Sequence, residues 1–503
     1  MFEGLNMFGT AILSFLNFKI LFNAVWATEL GIIIGMLPGL TATMGVALLT
    51  TLTFKMQAND AILILICMYI GAIYGGSRSA ILLNIPGTPA NAATTLDGYP
   101  LALQGKAGKA IGIATTGSFL GSLIGMFAML IFTPLIGSIA LKFQSYEFVW
   151  FSIFGIIICG NLTAPKDPLK GWISGFIGLF VSMIGMEGIH AYTRFSFGST
   201  ELAGGISLIP AMVGTFGFAE IISVMRYQKF DVVKAKIDRV IPKPSEVFKY
   251  WKTIIRSGII GTLIGAIPGV GEDIAAWVSY DFAKRGAKPA DREMFGKGSI
   301  EGLMASETGN NACVPGAIIP VLTLAIPGSA PAAVLLGAML IHGIRPGPLI
   351  MVEFPSFIYE TVAMVLIATV MMFILGLTMV KPLVKILQVP RQKLMPIVFT
   401  LCVIGSFAIQ SRLFDVRVMV VFGILGFILR EMEYPMAPLV LGIILGDILD
   451  KNLRRALILS NGSLTPFFTR PISLILFSLT MLIVLSRAKW IKTIIASIRK
   501  KNA

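Results

Sequence analysis

Twenty residues between two long apolar regions, Ile81 to Pro100, do not read as an ordinary membrane helix. They hold three prolines, two glycines, three threonines and two asparagines. Proline removes a backbone donor and clashes with the preceding turn, and glycine is a weak helix former. The apolar flanks nevertheless place the stretch in or against a bilayer. There every freed N–H and C=O needs a partner, so broken backbone survives only when buried in protein or lining a polar cavity. The stretch reads as part of a solute site, with the rest of the chain as its support.

Composition agrees. Hydrophobic residues make up 55% of the 503 and charged residues 13%, against about 25% charged in a soluble domain. Runs such as Gly112 to Leu141 exceed the roughly 20 apolar residues that span a bilayer. The net charge of +15 comes from basic loops and a basic C-terminus. The positive-inside rule explains this better than nucleic-acid binding does. Cys67, Cys159, Cys313 and Cys402 stand singly in apolar stretches, and His190 and His342 are the two histidines. Neither a disulfide framework nor a metal site is expected. Met1 to Lys19 lacks a basic start and a small-residue cleavage site, so it reads as mature chain.

Along the chain, Phe2, Leu5, Phe8, Ile12 and Phe15 mark a first packing helix. Leu21 to Met36 is expected to end at Pro38-Gly39, Leu40 to Phe54 follows, and Asp60 to Gly76 is a third helix. Ile111 to Leu141 is expected to bend or break at Pro134. Phe148 to Asn161 and Trp172 to Met186 are shorter spans, and Ile206 to Val224 is interrupted at Pro210. These form a first membrane half, residues 1–225, with a first repeat at 31–110. Residues 226–256 carry nine basic and three acidic side chains and read as a cytoplasmic loop. Ser257 to Phe282 has Pro268-Gly269 near its middle and basic loops on both sides, so it reads as a hairpin that does not cross. Residues 257–355 make a second repeat core, 356–486 supporting helices, and 487–503 a basic tail on the cytoplasmic surface. The expected fold is all-α, a polytopic membrane protein with about 10–14 membrane segments, some re-entrant or broken.

Two segments recur in the same order. Gly31 to Leu40 and Gly261 to Val270 both read G-x-x-x-G-x-x-P-G plus an aliphatic residue, and Ile85 to Ala90 resembles Ile326 to Pro331. Paired broken segments in two halves point to a secondary transporter with its site at the repeat interface. The first copy's nearly neutral flanks and the second copy's basic ones suggest inverted repeats. A helix broken in mid-membrane exposes N–H groups and the positive dipole end, which bind carboxylates. The substrate residues expected are Gly39, Thr41, Gly87, Thr88, Asn91, Gly269, Asn310, Asn311, Gly328 and Ser329. Arg78 is a candidate bidentate partner for a carboxylate. Asn84, Thr94, Asp273 and Glu307 are candidates for the coupling ion, because carboxylates in a membrane are costly unless functional or paired. The plainer readings are kinks and tight packing at the glycines, salt bridges from Arg78 or Arg345 to Glu307 or Asp273, and a turn cap for Asp97.

The same residues carry a resemblance. The chain resembles the large membrane subunit of the tripartite tricarboxylate transporters, the TctA family. The motifs are Pro86 to Pro89 with Thr94 to Pro100, Gly265 to Ala275, Phe295 to Gly298 with Glu301-Gly302, Asn310-Asn311-Ala312, and Ile326 to Ala330. Near the end, Leu445-Gly446, Asn452 to Leu457 and Thr469 to Ser473 also fit. The resemblance implies uptake of an organic carboxylate across a bacterial inner membrane, driven by an ion gradient. It implies a small membrane subunit (TctB-like) and a periplasmic binding protein (TctC-like) as partners, and Na⁺ or H⁺ as the coupling ion with no other cofactor. Two departures stand out: Gly271-Glu272-Asp273 where a glycine pair before Asp is common, and Ala305-Ser306-Glu307 where Ala-Pro-Glu is common.

A passive pore for small organic anions is the competing transport reading. An intramembrane enzyme is disfavoured. Gly446-Asp447 lacks the first glycine of a GxGD motif, and no HExxH occurs.

Overall fold

The computed structural model describes residues 2–37, 39–164, 167–226, 238–386 and 391–487. The expectations on Pro38, on residues 227–237 of the basic loop and on 488–503 of the tail lie outside the described residues. The chain is predominantly helical. Among the described residues the strands are Gly185–Met186 and Thr193–Arg194, one antiparallel pair. Six described helices are long and apolar enough to cross a membrane: Phe18–Met36, Ala58–Leu83, Ala107–Ala140, Ser145–Thr163, Leu208–Met225 and Pro355–Thr378. Shorter apolar helices such as Ala42–Thr53, Ala330–Ile341 and Pro471–Leu485 accompany them. This is an all-α, multi-pass membrane protein.

The chain divides into two compact units, Met1–Ala140 with Ser207–Glu431, and Leu141–Ile206 with Met432–Ala503. In the second unit, Glu147 is fully buried and accepts hydrogen bonds from Arg470 at 2.7 Å and Ser473 at 2.8 Å. These join the helices Ser145–Thr163 and Pro471–Arg487.

Ten helices of the first unit carry the argument: α1 (Phe18–Met36), α2 (Ala42–Thr53), α3 (Ala58–Leu83), α4 (Ala92–Leu103), α5 (Ala107–Ala140), α6 (Trp251–Gly265), α7 (Gly271–Gly286), α8 (Ile300–Leu324), α9 (Ala330–Ile341) and α10 (Pro355–Thr378). α1 meets α3 on glycine faces, where a side chain on Gly31 or Gly35 would strike the backbone of Met68 or Ala72. α6 meets α8 in the same way, Gly261 against Gly309 and Gly265 against Cys313. Small residues let the backbones approach where lipid supplies no hydrophobic drive for helix pairing.

α3 and α8 end alike. Asn84 closes α3 at φ 54°, ψ 27°, and Ala325 closes α8 at φ 57°, ψ 33°. Each is followed by Ile-Pro-Gly and then an extended residue, Thr88 or Ser329. A 3₁₀ turn, Pro89–Asn91, then leads into α4, while Ser329 caps α9. The Pro-Gly break at 268–269 separates α6 from α7, which pack on one another as a hairpin.

Several expectations need correction. α3 does not stop at Gly76 but runs to Leu83, so Ser77 and Arg78 are helical. Gly75 and Gly76 are tolerated inside it because the bare faces receive the Ile32 backbone and the Thr88–Asn91 segment. The irregular backbone is correspondingly short, residues 84–91, and Ala92 onward is helix again. α5 continues through Pro134. Pro210 interrupts nothing, since it lies in the first turn of Leu208–Met212, where a missing N–H costs little. The irregularity there is a π-helical segment, Val213–Phe218. α8 runs unbroken through Pro315 and Pro320. Pro315 deprives the Asn311 carbonyl of its helical donor, and Ser122 Oγ donates to that oxygen at 3.5 Å.

Candidate functional site

Glu307 lies two turns into α8 and is fully buried. Its Oε2 accepts from Ser77 Oγ on α3 at 2.7 Å and from Ser118 Oγ on α5 at 2.9 Å. Its Oε1 accepts from Thr94 Oγ1 on α4. Amides complete the set. Asn91 Nδ2 donates to Ser77 Oγ at 3.0 Å, and Thr88 Oγ1 donates to Asn91 Oδ1 at 2.6 Å. Asn311 Nδ2 donates to Ser118 Oγ at 2.9 Å, and Asn310 Nδ2 reaches the Ala90 carbonyl at 3.3 Å. The hydroxyls of Ser77, Ser118 and Thr94 thus turn their protons toward the carboxylate, and these donors come from the helices around the first break.

A second set sits at the other break. Tyr69 of α3 donates its hydroxyl proton to Glu272 Oε1 in the first turn of α7. Tyr69 and Ser329 hydroxyl oxygens are 2.5 Å apart, and Ser329 Oγ accepts from the N–H of Ala332 at 3.4 Å. The backbone joins the two Pro-Gly segments: Gly269 N–H donates to the Pro327 carbonyl at 3.1 Å and Gly271 N–H to the Gly328 carbonyl at 3.2 Å. Gly269 and Gly271, at φ 70° and 82°, occupy the left-handed region that glycine adopts without a Cβ penalty.

The sequence candidates separate accordingly. Thr88, Asn91, Thr94, Asn310, Asn311 and Glu307 form one hydrogen-bonded set, while Ser329 belongs to the other. Gly87 and Gly328 line the breaks. Gly39, at φ 96°, and Thr41, whose Oγ1 accepts from Met44 N–H at 3.2 Å, start α2. Asn84 is exposed and outside both sets. Asp273 is half-buried beside Glu272. Among the described residues, neither Glu307 nor Asp273 forms an ion pair with Arg78 or Arg345.

Arg78 is 1% exposed. Its Nη2 donates to the Gly376 carbonyl of α10 at 2.8 Å and to Tyr74 Oη at 3.3 Å. Its Nε and Nη1 have no protein partner.

Asp97 does not cap the turn at Gly98. It lies inside α4, and its Oδ1 accepts three backbone N–H bonds, from Gly296 at 2.8 Å, Gly298 at 2.9 Å and Ser299 at 2.8 Å. Its Oδ2 accepts from Tyr280 Oη at 2.9 Å. This carboxylate fixes the loop that enters α8.

Sequence reasoning missed Ser77, Ser118, Tyr69, Tyr280 and the part played by Glu272. Tyr69 did carry a signal, a lone phenol inside the apolar run from Ala61 to Ile73. A buried phenol needs a hydrogen-bond partner.

A multi-pass helical protein with polar side chains gathered at helix breaks has the build of a membrane transporter. The chain belongs to the tripartite tricarboxylate transporter TctA family, whose family model matches residues 21–441. That family is one of transporters, not enzymes, and usually forms part of a three-component system. The chain is 36% identical over 455 residues to an Agrobacterium vitis protein described as an uncharacterized 52.8 kDa protein in the TAR-I ttuC' 3' region, covering 90% of each chain. It is 37% identical over 243 residues to an uncharacterized protein in the TAR-II ttuC' 3' region of the same organism, covering 48% of this chain and 97% of that one. No solved structure matches the chain.

Proposed function

We propose that this chain is the large membrane subunit of a bacterial inner-membrane uptake system, moving an organic di- or tricarboxylate inward with an ion gradient. A TctC-like periplasmic protein delivers the substrate and a TctB-like small subunit completes the complex. Glu307 carries the reading. A carboxylate sealed away from water with only hydroxyl donors holds a charge that a proton or Na⁺ would balance. Its donors lie on α3, α4 and α5, so gaining or losing that cation alters how the first break packs on α8. Differential binding of this kind is what lets one ligand shift a conformational equilibrium for another.

The substrate site belongs at the two breaks, where helix starts present N–H groups suited to carboxylates. The free guanidinium nitrogens of Arg78 supply a further anion partner. Two repeats are supported by contacts that recur at fixed offsets, and the basic flanks of the second copy support their inversion. Gly35 packs on Ala72 as Gly265 packs on Cys313, and Asn84 and Thr88 correspond to Ala325 and Ser329.

The test is uptake of labelled succinate and citrate by proteoliposomes holding the three-component complex, under imposed Na⁺ or proton gradients. Accumulation is expected with one gradient and is lost in Glu307→Gln. Accumulation that persists with both gradients collapsed overturns cation coupling. Absence of accelerated exchange with internal substrate would make the protein a pore.

A further inference from the structure

We propose that Glu272 is a second coupling site, a carboxyl group that binds and releases one proton per transport cycle independently of Glu307. The proposal rests on reading the chain as a cation-coupled transporter. Glu272 is 5% exposed, and its partner Tyr69 is fully buried. The titratable groups facing it are Tyr69 from α3, Asp273 on α7 itself and Cys313 from α8. None of these is basic, and among the described residues Glu272 has no ion pair. Burying an unpaired carboxylate is costly, so charge at this place requires a counter-cation.

The hydroxyl pair beside Glu272 is hydrogen-bonded rather than metal-bridged. Hydroxyl oxygens 2.5 Å apart, as in Tyr69 and Ser329, share a hydrogen. A metal ion keeps each oxygen about 2.0–2.6 Å from itself and so spreads its ligands farther than this. Hydrogen bonds link Ala332 N–H to Ser329, Ser329 to Tyr69, and Tyr69 to Glu272. The proton adds to the carboxylate oxygen turned away from Tyr69, giving the neutral acid, and its release to water regenerates the carboxylate.

The position makes that proton consequential. Gly271 N–H is bonded to Gly328, so Glu272 sits where the starts of α7 and α9 are tied together. Tyr69 fastens this junction to α3, the helix that also brings Ser77 to Glu307. The partners of Glu272 and of Glu307 have no residue in common. Each break therefore has its own acid, reached from the same helix.

Infrared difference spectra between acid and neutral buffer, on the purified full chain in lipid, test this without substrate. The wild type is expected to show a carbonyl band of a protonated buried carboxyl that Glu272→Gln deletes and Glu307→Gln retains. Tyr69→Phe keeps the carboxyl but removes its hydroxyl partner, and is expected to shift that band. A Glu272→Gln spectrum that superimposes on the wild type overturns the proposal. So does a Tyr69→Phe spectrum with every band in place, which keeps the test decisive should Glu272→Gln fail to fold. In proteoliposomes the number of protons carried per substrate is expected to fall by one in Glu272→Gln, and an unchanged ratio overturns the proposal. Failure of the infrared test leaves the uptake reading standing. A chain that accumulates no carboxylate under any gradient removes the uptake reading and the coupling role of Glu272 with it, even where the infrared band behaves as expected.

Discussion

Gly87 lies so close to Gly35 that a methyl group on it would collide with the Gly35 carbonyl oxygen. Gly328 stands in the same relation to Gly265. At both places the backbone leaving a Pro-Gly break passes over the end of a helix with no room for a Cβ. Gly87→Ala and Gly328→Ala are each expected to destabilise the protein by about 1–3 kcal/mol, the usual cost of overpacking. Thermal unfolding in detergent checks this, with Gly9→Ala, a helical glycine that meets nothing within 4 Å, as a control expected not to destabilise.

Asp97 holds three N–H groups of the loop before α8, so removing its carboxylate strands buried donors. Asp97→Ala is expected to cost more than either Asp97→Asn or Tyr280→Phe. Each buried donor left unsatisfied costs about 1–3 kcal/mol, whereas loss of the single Tyr280 bond costs about 1.5–3 kcal/mol at most. Asp97→Asn retains one carbonyl acceptor for the backbone groups. The order of unfolding temperatures across the three variants is the check, and Asp97→Ala equal to wild type would contradict the latch.

The breaks were legible in the sequence because proline and glycine mark them and because glycine spacing marks helices in backbone contact. Gly31, Gly35, Gly261 and Gly265 do what their spacing suggests. Thr94 stood beside Glu307 among the ion candidates, but the carboxylate's partners Ser77 and Ser118 were not legible. Ser77 and Ser118 lie 230 and 189 residues away in sequence, and small hydroxyl residues are common on any packed helix face. Asp97 misled because Asp-Gly is a turn signal, while tertiary packing keeps it inside α4 and gives it a distant loop to hold. α5 passes Pro134 without a break, and α8 passes Pro315, where Ser122 satisfies the Asn311 carbonyl that proline leaves bare.

Glu246 lies outside the membrane helices, and the Lys109 ammonium from the first turn of α5, 2.5 Å away, holds its carboxyl below the usual glutamate range. Because the folded value is depressed, the stabilisation is present above the unfolded value of about 4.3 and is lost as pH falls through the folded one. Both side chains are about a quarter to a third exposed, at 27% and 30%. The pair is therefore a surface one, contributing about 0.2–1 kcal/mol. Glu246→Gln is expected to lower the unfolding temperature slightly at pH 7 and not at all once the wild-type carboxyl is protonated. A gap that persists or widens in acid would reverse the sign and refute the assignment.

Arg78 separates a scaffold role from a substrate role. It reaches Gly376 and Tyr74 with one nitrogen and leaves Nε and Nη1 without a protein partner. A lysine keeps the charge but loses the planar fork that grips a carboxylate bidentately. If the free edge receives substrate, Arg78→Lys removes one charge-assisted bond of about 1.5–3 kcal/mol, which raises the transport KM roughly tenfold to a hundredfold. Arg78→Met removes the charge as well and is expected to raise it further. A scaffold role gives the opposite pattern, a lowered unfolding temperature with KM unchanged for both succinate and citrate. Measuring KM and unfolding temperature on the same preparations decides between them, and the guanidinium edge left open in the protein core favours the rise in KM.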